Sequence, residues 1–425
     1  MAWKISFMML AGVLAIAVWP VRAETLEERV AALESKAEEM STSSSTFTVY
    51  WKDGLRLDSQ DKSFKLKFGG RVMFDWNCFF NEDDDLPTFE DGLEFRRLWI
   101  YSSGTIYDNT EYKLQIDLTK GEGGSRLKDA YVGISDLLPF GNLRIGQFQE
   151  PFSLDEVISS NYETFMEQAL PANTFSPSRS GGVMVYGTAV DERATWAAGV
   201  FRPLEDDNTA SGSTGYAFTG RVTWSPWYED EGEKAAHLGF ACTYRDHEDD
   251  TVRFRQRPSL HMGEYVVNTD YIPSESDYRL GLEAALVLGP LAFQSEYIHT
   301  QVDREDAGSV SFGGAYAQAS YFLTGEHRNL DTKKGSFGRT SPHNNYRRGG
   351  GIGAWQVAAR YGWVDLKDGG VDGGTLNDIT LGLNWYLNPN MRFMFNYVHA
   401  GVEDGNGGSY DGDVDGVGAR FQVDF

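Results

Sequence analysis

From Phe47 to the last residue, Phe425, apolar and polar side chains alternate with a period of two, which commits most of this chain to β-strands. Phe64, Leu66 and Phe68 alternate with Lys65 and Lys67, and the parity runs on through Val72, Phe74 and Trp76 against Arg71 and Asp75. Tyr112, Leu114, Ile116 and Leu118 oppose Lys113, Gln115 and Asp117, while Phe421, Val423 and Phe425 oppose Gln422 and Asp424. A soluble sandwich strand also alternates. Here, however, the polar faces carry Lys, Arg or Glu and the opposite faces end in large aromatics, which suits a water-filled interior and a lipid-facing exterior. Lipid admits a sheet only when it is closed, because an open edge leaves backbone groups unpaired. The expected fold is therefore all-β, a transmembrane β-barrel over residues 47–425. The 47 glycines, 21 tyrosines, 11 tryptophans and 26 phenylalanines supply the tight turns and interfacial rings that such a barrel needs.

The barrel pattern is preceded by three short segments. Lys4, an apolar stretch from Ile5 to Trp19, and Val21 and Ala23 read as a signal peptide over residues 1–23, cut before Glu24. The alternative, a membrane helix, falls short of the ~20 apolar residues needed to span a bilayer. Leu26, Val30, Leu33, Ala37 and Met40 then recur at coiled-coil spacing within residues 24–40. So short a helix is marginal alone and zips only if an oligomer holds its copies together. An amphipathic helix lying on the barrel is the other reading. Residues 41–46, all Ser or Thr, form a linker.

Charge and motifs exclude several functions. The net charge of -24, and the want of a basic aromatic platform, argue against nucleic acid. Two cysteines, Cys78 and Cys242, are too few for a disulfide scaffold and read as apolar strand residues. Acidic, turn-rich stretches such as Glu82 to Asp85 and Glu403 to Gly416 are expected as outer loops, the remaining connections as short inner turns. Asp411, Asp413 and Asp415 lack the loop and terminal glutamate of a helix-loop-helix calcium site and read as a solvated loop. No hydrolase, metalloprotease or phosphate-loop motif occurs, and no cofactor or metal is implied.

Several words in the chain carry a resemblance. They are Phe68-Gly69-Gly70-Arg71 with Asp75, Glu94-Phe95-Arg96-Arg97, Lys113-Leu114-Gln115-Ile116-Asp117 and Leu127-Lys128-Asp129-Ala130-Tyr131. The longest, Gly146-Gln147-Phe148-Gln149-Glu150-Pro151-Phe152-Ser153-Leu154, mixes glycine, proline and aromatics. Later come Thr324-Gly325-Glu326, the stretch from Gly353 to Tyr361, and Trp385-Tyr386-Leu387-Asn388-Pro389-Asn390. From about residue 64 to the end the chain resembles the bacterial outer-membrane family of phosphate-selective and polyphosphate-selective porins. The resemblance implies 16 strands, a homotrimer in outer-membrane lipid, an inward-folded third external loop and passage of small hydrophilic solutes or anions such as phosphate. Some members carry an N-terminal coiled coil, and a terminal phenylalanine, here Phe425, is typical of such barrels.

By motif position, Arg71, Arg96 and Arg97 resemble the arginines of the family's pore constriction, and Arg253, Arg255 and Arg257, spaced by two, resemble part of an arginine ladder. The alternative is that they pair with carboxylates such as Asp75 or Glu94. The inward loop departs from the pattern of phosphate-selective relatives. Residues 147–178 contain Glu150, Asp155, Glu156, Glu163 and Glu167 and neither Lys nor Arg, so the loop is expected to repel a multivalent anion. These opposed charges predict a general porin with a modest preference for inorganic anions. A phosphate-selective pore, a plugged structural barrel and a barrel enzyme are the alternatives.

Overall fold

A computed structural model describes residues 47–425 except 122–123, 139–140, 204–214, 248–250 and 306, together with residues 27, 29–31, 34 and 35. Contacts divide the chain into two compact units, Met1–Thr46 and Phe47–Phe425. Within the first, the described residues are helical; of the coiled-coil seam only Val30 is among them. Leu26, Leu33, Ala37 and Met40, with the signal peptide and the linker, lie outside the described residues.

The second unit begins with a hairpin of β1 (Phe47–Trp51) and β2 (Leu55–Ser59), followed by the first wall strands. These are β3 (Lys65–Phe80), β4 (Gly92–Ile106), β5 (Thr110–Gly121), β6 (Gly124–Leu138), β7 (Gly141–Gln149), β8 (Arg179–Ala189), β9 (Ala194–Pro203), β10 (Ala217–Glu229) and β11 (Lys234–Asp246). Four two-residue strands come next: β12 (Thr251–Val252), β13 (Arg255–Gln256), β14 (Val267–Asn268) and β15 (Ile272–Pro273). The wall resumes with β16 (Ser276–Leu288), β17 (Leu291–Asp303) and β18 (Val310–Phe322). After the short β19 (Leu330–Asp331) and β20 (Ser336–Phe337) it ends with β21 (Ala354–Asp368), β22 (Val371–Asn388), β23 (Met391–Asp404) and β24 (Tyr410–Asp424).

Each wall strand pairs antiparallel with the next, and β24 returns to β3 from Asp415↔Phe80 to Asp424↔Arg71. Sixteen strands thus close into a barrel, and the β1–β2 hairpin extends β3 beyond the end of β24, through Leu55↔Phe68 to Asp58↔Lys65. Phe425 seals the seam. Its N–H donates to the Gly70 carbonyl at 3.0 Å and its carbonyl accepts from the Gly70 N–H at 2.8 Å. A Cβ on Gly69 would run into the Phe425 carbonyl, so this closure needs glycine there.

Alternation sorts the side chains as the sequence predicts. Phe68, Phe74, Trp76, Leu282, Ile379 and Leu381 stand exposed on the outer wall, whereas Arg71, Asp75, Asn77, Arg279, Asp378 and Thr380 are buried inside. So continuous an apolar exterior belongs in lipid. Cys78 and Cys242 are free, on outward positions of β3 and β11.

Most connections at one end are short, including 107–109, 190–193, 230–233, 289–290 and 389–390, which marks that end as periplasmic. The connection 323–353 at that same end is a long exception to the expected short inner turns. It carries the β19–β20 pair inward, where Leu330 and Phe337 pack with Leu154, Ile158 and Val287. From the outer end two more connections enter. The first, 150–178, holds α1 (Leu154–Val157) and α2 (Leu170–Phe175). The second, 247–275, doubles back through the β12–β15 and β13–β14 pairs. Phe152, Leu170 and Phe175 from the first join Val252, Phe254 and Leu260 from the second against wall residues Ile298, Phe312, Val364 and Val402. The barrel therefore encloses a dry core beside the β16–β24 wall, and its polar space lies against β3–β8.

Candidate functional site

Perfect alternation would send one of Arg96 and Arg97 into lipid. It does not, because Met73 pairs with Arg97 and Phe74 with Phe95, leaving Arg96 as the extra residue of a β-bulge. The bulge resets the parity and turns both guanidinium groups to the lumen. The neighbouring pair of strands repeats the device. Gln115 pairs with Asp129 and Ile116 with Leu127, so Lys128 is extra and both Lys128 and Asp129 face inward. Two bulges on adjacent strand pairs thus place four consecutive-pair charges on one patch of wall.

That patch borders a polar cavity of ≈ 540 Å³. Its basic lining comprises Arg71, Arg96, Arg97, Lys113, Lys128, Arg144, Arg179 and Lys334; its acidic lining is Asp117, Asp129, Glu156 and Glu163. Cations outnumber carboxylates even though the whole protein is strongly negative. Trp99 sits among them. Its ring centroid lies 4.6 Å from Arg71, 5.6 Å from Arg179, 5.4 Å from Lys128 and 6.0 Å from Arg97. The electron-rich indole face offsets part of the repulsion among four like charges that it gathers. Arg71 Nη1 also donates to Ser160 Oγ at 2.5 Å, and among the described residues Arg97 Nη1 reaches Met73 Sδ alone, at 3.7 Å. Lys113 and Arg179 share Asp129, at 2.6 and 3.0 Å.

The expected repulsive field of the inward loop is corrected by its partners. Glu150, fully buried, accepts from Ser180 Oγ and Thr219 Oγ1 at 2.6 Å each and pairs with Arg245 at 3.0 Å. Glu167 takes Arg96 through two parallel bonds of 2.9 and 2.8 Å and Arg420 at 2.8 Å. Burial alone would raise the Glu167 carboxyl, but Arg96 and Arg420 outweigh it and hold it well below its ordinary range. Asp155 accepts from the Ala169 N–H at 2.8 Å and Gln294 Nε2 at 3.2 Å, so it serves as an internal brace. Glu156 faces the cavity between Gln149 and Gln168 Nε2 atoms at 2.7 and 2.6 Å, its carboxyl raised by burial. Glu163 also faces the cavity, and burial pushes it up to about 7. Of the five acids, two are neutralised by arginine and only Glu156 and Glu163 line the larger cavity. The loop is pinned further where Glu296 accepts from the Leu154 and Asp155 N–H groups at 2.8 and 2.7 Å, at the start of α1.

The neighbouring carboxylates named as alternative partners are committed elsewhere. Asp75 binds Arg420 at 2.7 and 2.6 Å, and Glu94 binds His261 at 2.7 Å.

The second arginine set sits on the inward hairpin 247–275 rather than on a wall strand. Val252, Phe254 and Gln256 bury against the dry core, so Arg253, Arg255 and Arg257 share the other side. Arg255 and Arg257 lie 4.0 and 3.9 Å from the Tyr265 ring, and Arg253 bonds Asn268 at 2.8 Å. Arg257 shares a smaller cavity of ≈ 120 Å³ with Arg96, and that cavity also has Gln168 and Asn173 in common with the larger one. Arg253 and Arg255 line neither. Arg71, Arg96 and Arg97 are therefore brought together, Arg257 joins them through Arg96, and the other two stand apart.

Sequence reasoning assigned no pore role to Lys113, Lys128, Arg144 or Lys334, and placed Arg179 only at the border of the acidic stretch 147–178. Lys113 and Lys128 stood on polar positions of alternating strands, which was a usable signal. Lys334 had none, since it arrives on the periplasmic-end connection, far along the chain.

Comparison with known proteins gives this wall a context. Residues 66–425 match the family described as phosphate-selective porin O and P. Porin O of Pseudomonas aeruginosa is 29% identical over 91% of this chain and 94% of its own length. An uncharacterized protein of Caulobacter vibrioides is 30% identical, with 89% and 77% covered. Among solved structures, an anion-selective porin from Comamonas acidovorans superposes with a TM-score of 0.52 over 85% of this chain and 100% of that one, at 15% identity. Outer-membrane expressed OmpT of Vibrio cholerae gives 0.53 over 85% and 98%, at 13%. At such identities these two show the fold alone. The match over most of the chain, on a closed barrel with an apolar exterior and a polar lumen, makes this protein a member of the phosphate-selective porin O and P family, an outer-membrane porin for passive diffusion of small hydrophilic solutes.

Proposed function

We propose that the pore is a general one with a modest preference for inorganic anions, set at the bulged wall of β3–β6. The carrying observation is the excess of cations over carboxylates around the ≈ 540 Å³ cavity, gathered on Trp99. In a narrow passage with low-dielectric walls such an excess concentrates anions whatever the total charge of the protein. Guanidinium and ammonium donors also replace part of an anion's hydration shell. The acids of the inward loop temper this effect through Glu156 and Glu163 and no longer oppose it through Glu150 and Glu167. The test is the reversal potential in a potassium chloride gradient across a planar bilayer. Anion preference that falls in R97A supports the reading, and strong cation selectivity in the wild type overturns it.

A phosphate-selective pore is the second reading. It is favoured by Lys113, Lys128 and Lys334, which supply from the wall and the periplasmic-end connection the lysines that the inward loop lacks. Submillimolar phosphate block of chloride current, lost on replacing these lysines, would establish it.

The assembly proposed is a homotrimer, in line with the resemblance and with OmpT of Vibrio cholerae, solved in a trimer form. Residues 1–23 act as a cleaved signal peptide, and residues 24–40 form a short coiled coil gathered on the periplasmic side, joined by the linker 41–46 to the barrel 47–425. A monomeric native mass would refute the trimer.

A further inference from the structure

The connection 323–353 does two separate things. Its first half enters the lumen; its last part, 346–353, lies against the outside of the wall at the periplasmic end. Trp385, on an outward position of β22, donates its indole N–H to the Ile352 carbonyl at 2.9 Å, and the Tyr346 N–H donates to the Leu387 carbonyl at 2.6 Å. Tyr346 meets the Trp385 ring edge to face at 5.2 Å, and Trp385 stacks on Trp355 at 5.1 Å and Phe393 at 5.9 Å. Aromatic rings at a strand end facing outward mark the level of the lipid headgroups. Tyr346 and Ile352 remain exposed, at 49% and 61%.

Between these two anchors the chain turns through Arg347, Arg348, Gly349 and Gly350, all exposed. The Arg347 N–H donates to the Gly351 carbonyl and the Gly350 N–H to the Arg347 carbonyl, at 2.9 and 3.0 Å, which fixes the turn. Gly349 has a φ of +76° with nothing within 4 Å of a Cβ placed on it. The turn leaves the N–H groups of Arg348 and Gly349 without an acceptor among the described residues. Neither Arg347 nor Arg348 has an ion pair among the described residues, although Asp and Glu outnumber Lys and Arg by 62 to 38 in the chain. Successive free N–H groups beside two unpaired guanidinium groups make an anion-binding concavity.

We propose that this turn clamps the phosphodiester of an anionic phospholipid in the periplasmic leaflet, with the Tyr346–Trp385 step against the upper part of its chains. The geometry selects lipid over free phosphate because the donors sit directly beside an exposed aromatic and aliphatic surface at headgroup level. The clamp is outside the barrel and independent of the selectivity of the pore.

The test uses the full-length protein in neutral detergent, with phosphatidylglycerol or phosphatidylcholine titrated in and bound lipid counted by native mass spectrometry. The wild type should retain phosphatidylglycerol in preference, and Arg347→Gln with Arg348→Gln should weaken that retention by about 30-fold, as removing two interfacial cations implies. Single-channel conductance of the double variant should equal that of the wild type, which shows that the barrel is intact. Equal retention of the two lipids by the wild type, or unchanged retention in the variant, overturns the proposal. So does full displacement of the lipid by inorganic phosphate, which would make the turn a free-anion site, or a second copy of the chain occupying the turn.

Discussion

Arg96 and Arg97 are neighbours in sequence that share the lumen, yet Arg96 is tied to Glu167 by two parallel bonds while Arg97 touches no carboxylate within hydrogen-bond reach among the described residues. One guanidinium holds the inward loop to the wall; the other, in the proposed pore, is the one that solutes meet.

The two single variants should therefore behave differently. Replacing Arg97 by alanine should lower the chloride-to-potassium permeability ratio with little change in the noise of the open channel. The Arg96→Ala variant should leave Glu167 to Arg420 alone, loosen the loop and add current fluctuations. Reversal potentials and open-channel noise from the same bilayers separate the outcomes; identical phenotypes would mean that Arg96 faces solutes too.

Glu163 predicts a pH dependence. Its carboxyl is pushed up to about 7 by burial, so it is mostly neutral at pH 5 and charged at pH 9. Anion preference should be greater at pH 5 and decline as pH rises through 7. In Glu163→Gln that decline should be shallower, with the remainder owed to Glu156, and a slope equal to the wild type's would assign the titration elsewhere.

Arg420 is buried completely and serves both Asp75 and Glu167. Arg420→Ala leaves one buried carboxylate bare and another half-compensated, a loss on the order of 3–5 kcal/mol. The folded barrel should show a lower unfolding midpoint on heat-dependent electrophoresis, and protease should cut within residues 150–178, a segment protected in the wild type.

On the outer wall Leu282, 56% exposed at the middle of β16, tests the lipid assignment. Leu282→Arg should cost ~2–4 kcal/mol in folding into vesicles, as a midplane arginine does in such barrels. A neutral effect measured by denaturant titration would place β16 away from lipid.

The closure was legible because lipid leaves no open edge unpaired, and the strand period and the outward aromatics because each follows from near neighbours along the chain. Arg71 was legible for the same reason. Arg96 with Arg97 carried a motif but not its geometry: a bulge leaves no mark in the alternation except two adjacent charges, a cue repeated at Lys128-Asp129. What the five loop acids do was not legible, since Glu150 and Glu167 are neutralised by Arg245, Arg96 and Arg420, contributed by strands distant in sequence. Lys334 was hidden by the same distance, and by the rule that periplasmic turns are short.

The dry core inside the barrel orders its assembly. Phe254 on the inward hairpin packs at 5.8 Å on Phe312, and its cluster includes Val364, Val402 and Val414 from β21, β23 and β24. Phe175 of the earlier inward connection already meets Phe254 at 5.4 Å, but these wall partners lie downstream, so the hairpin packs fully only once the last strands have been laid down, and the entropy of closing that long loop must be met first. The interior therefore sets only as the wall closes, so a barrel caught midway in insertion would lack its dry core and be less discriminating than the finished pore.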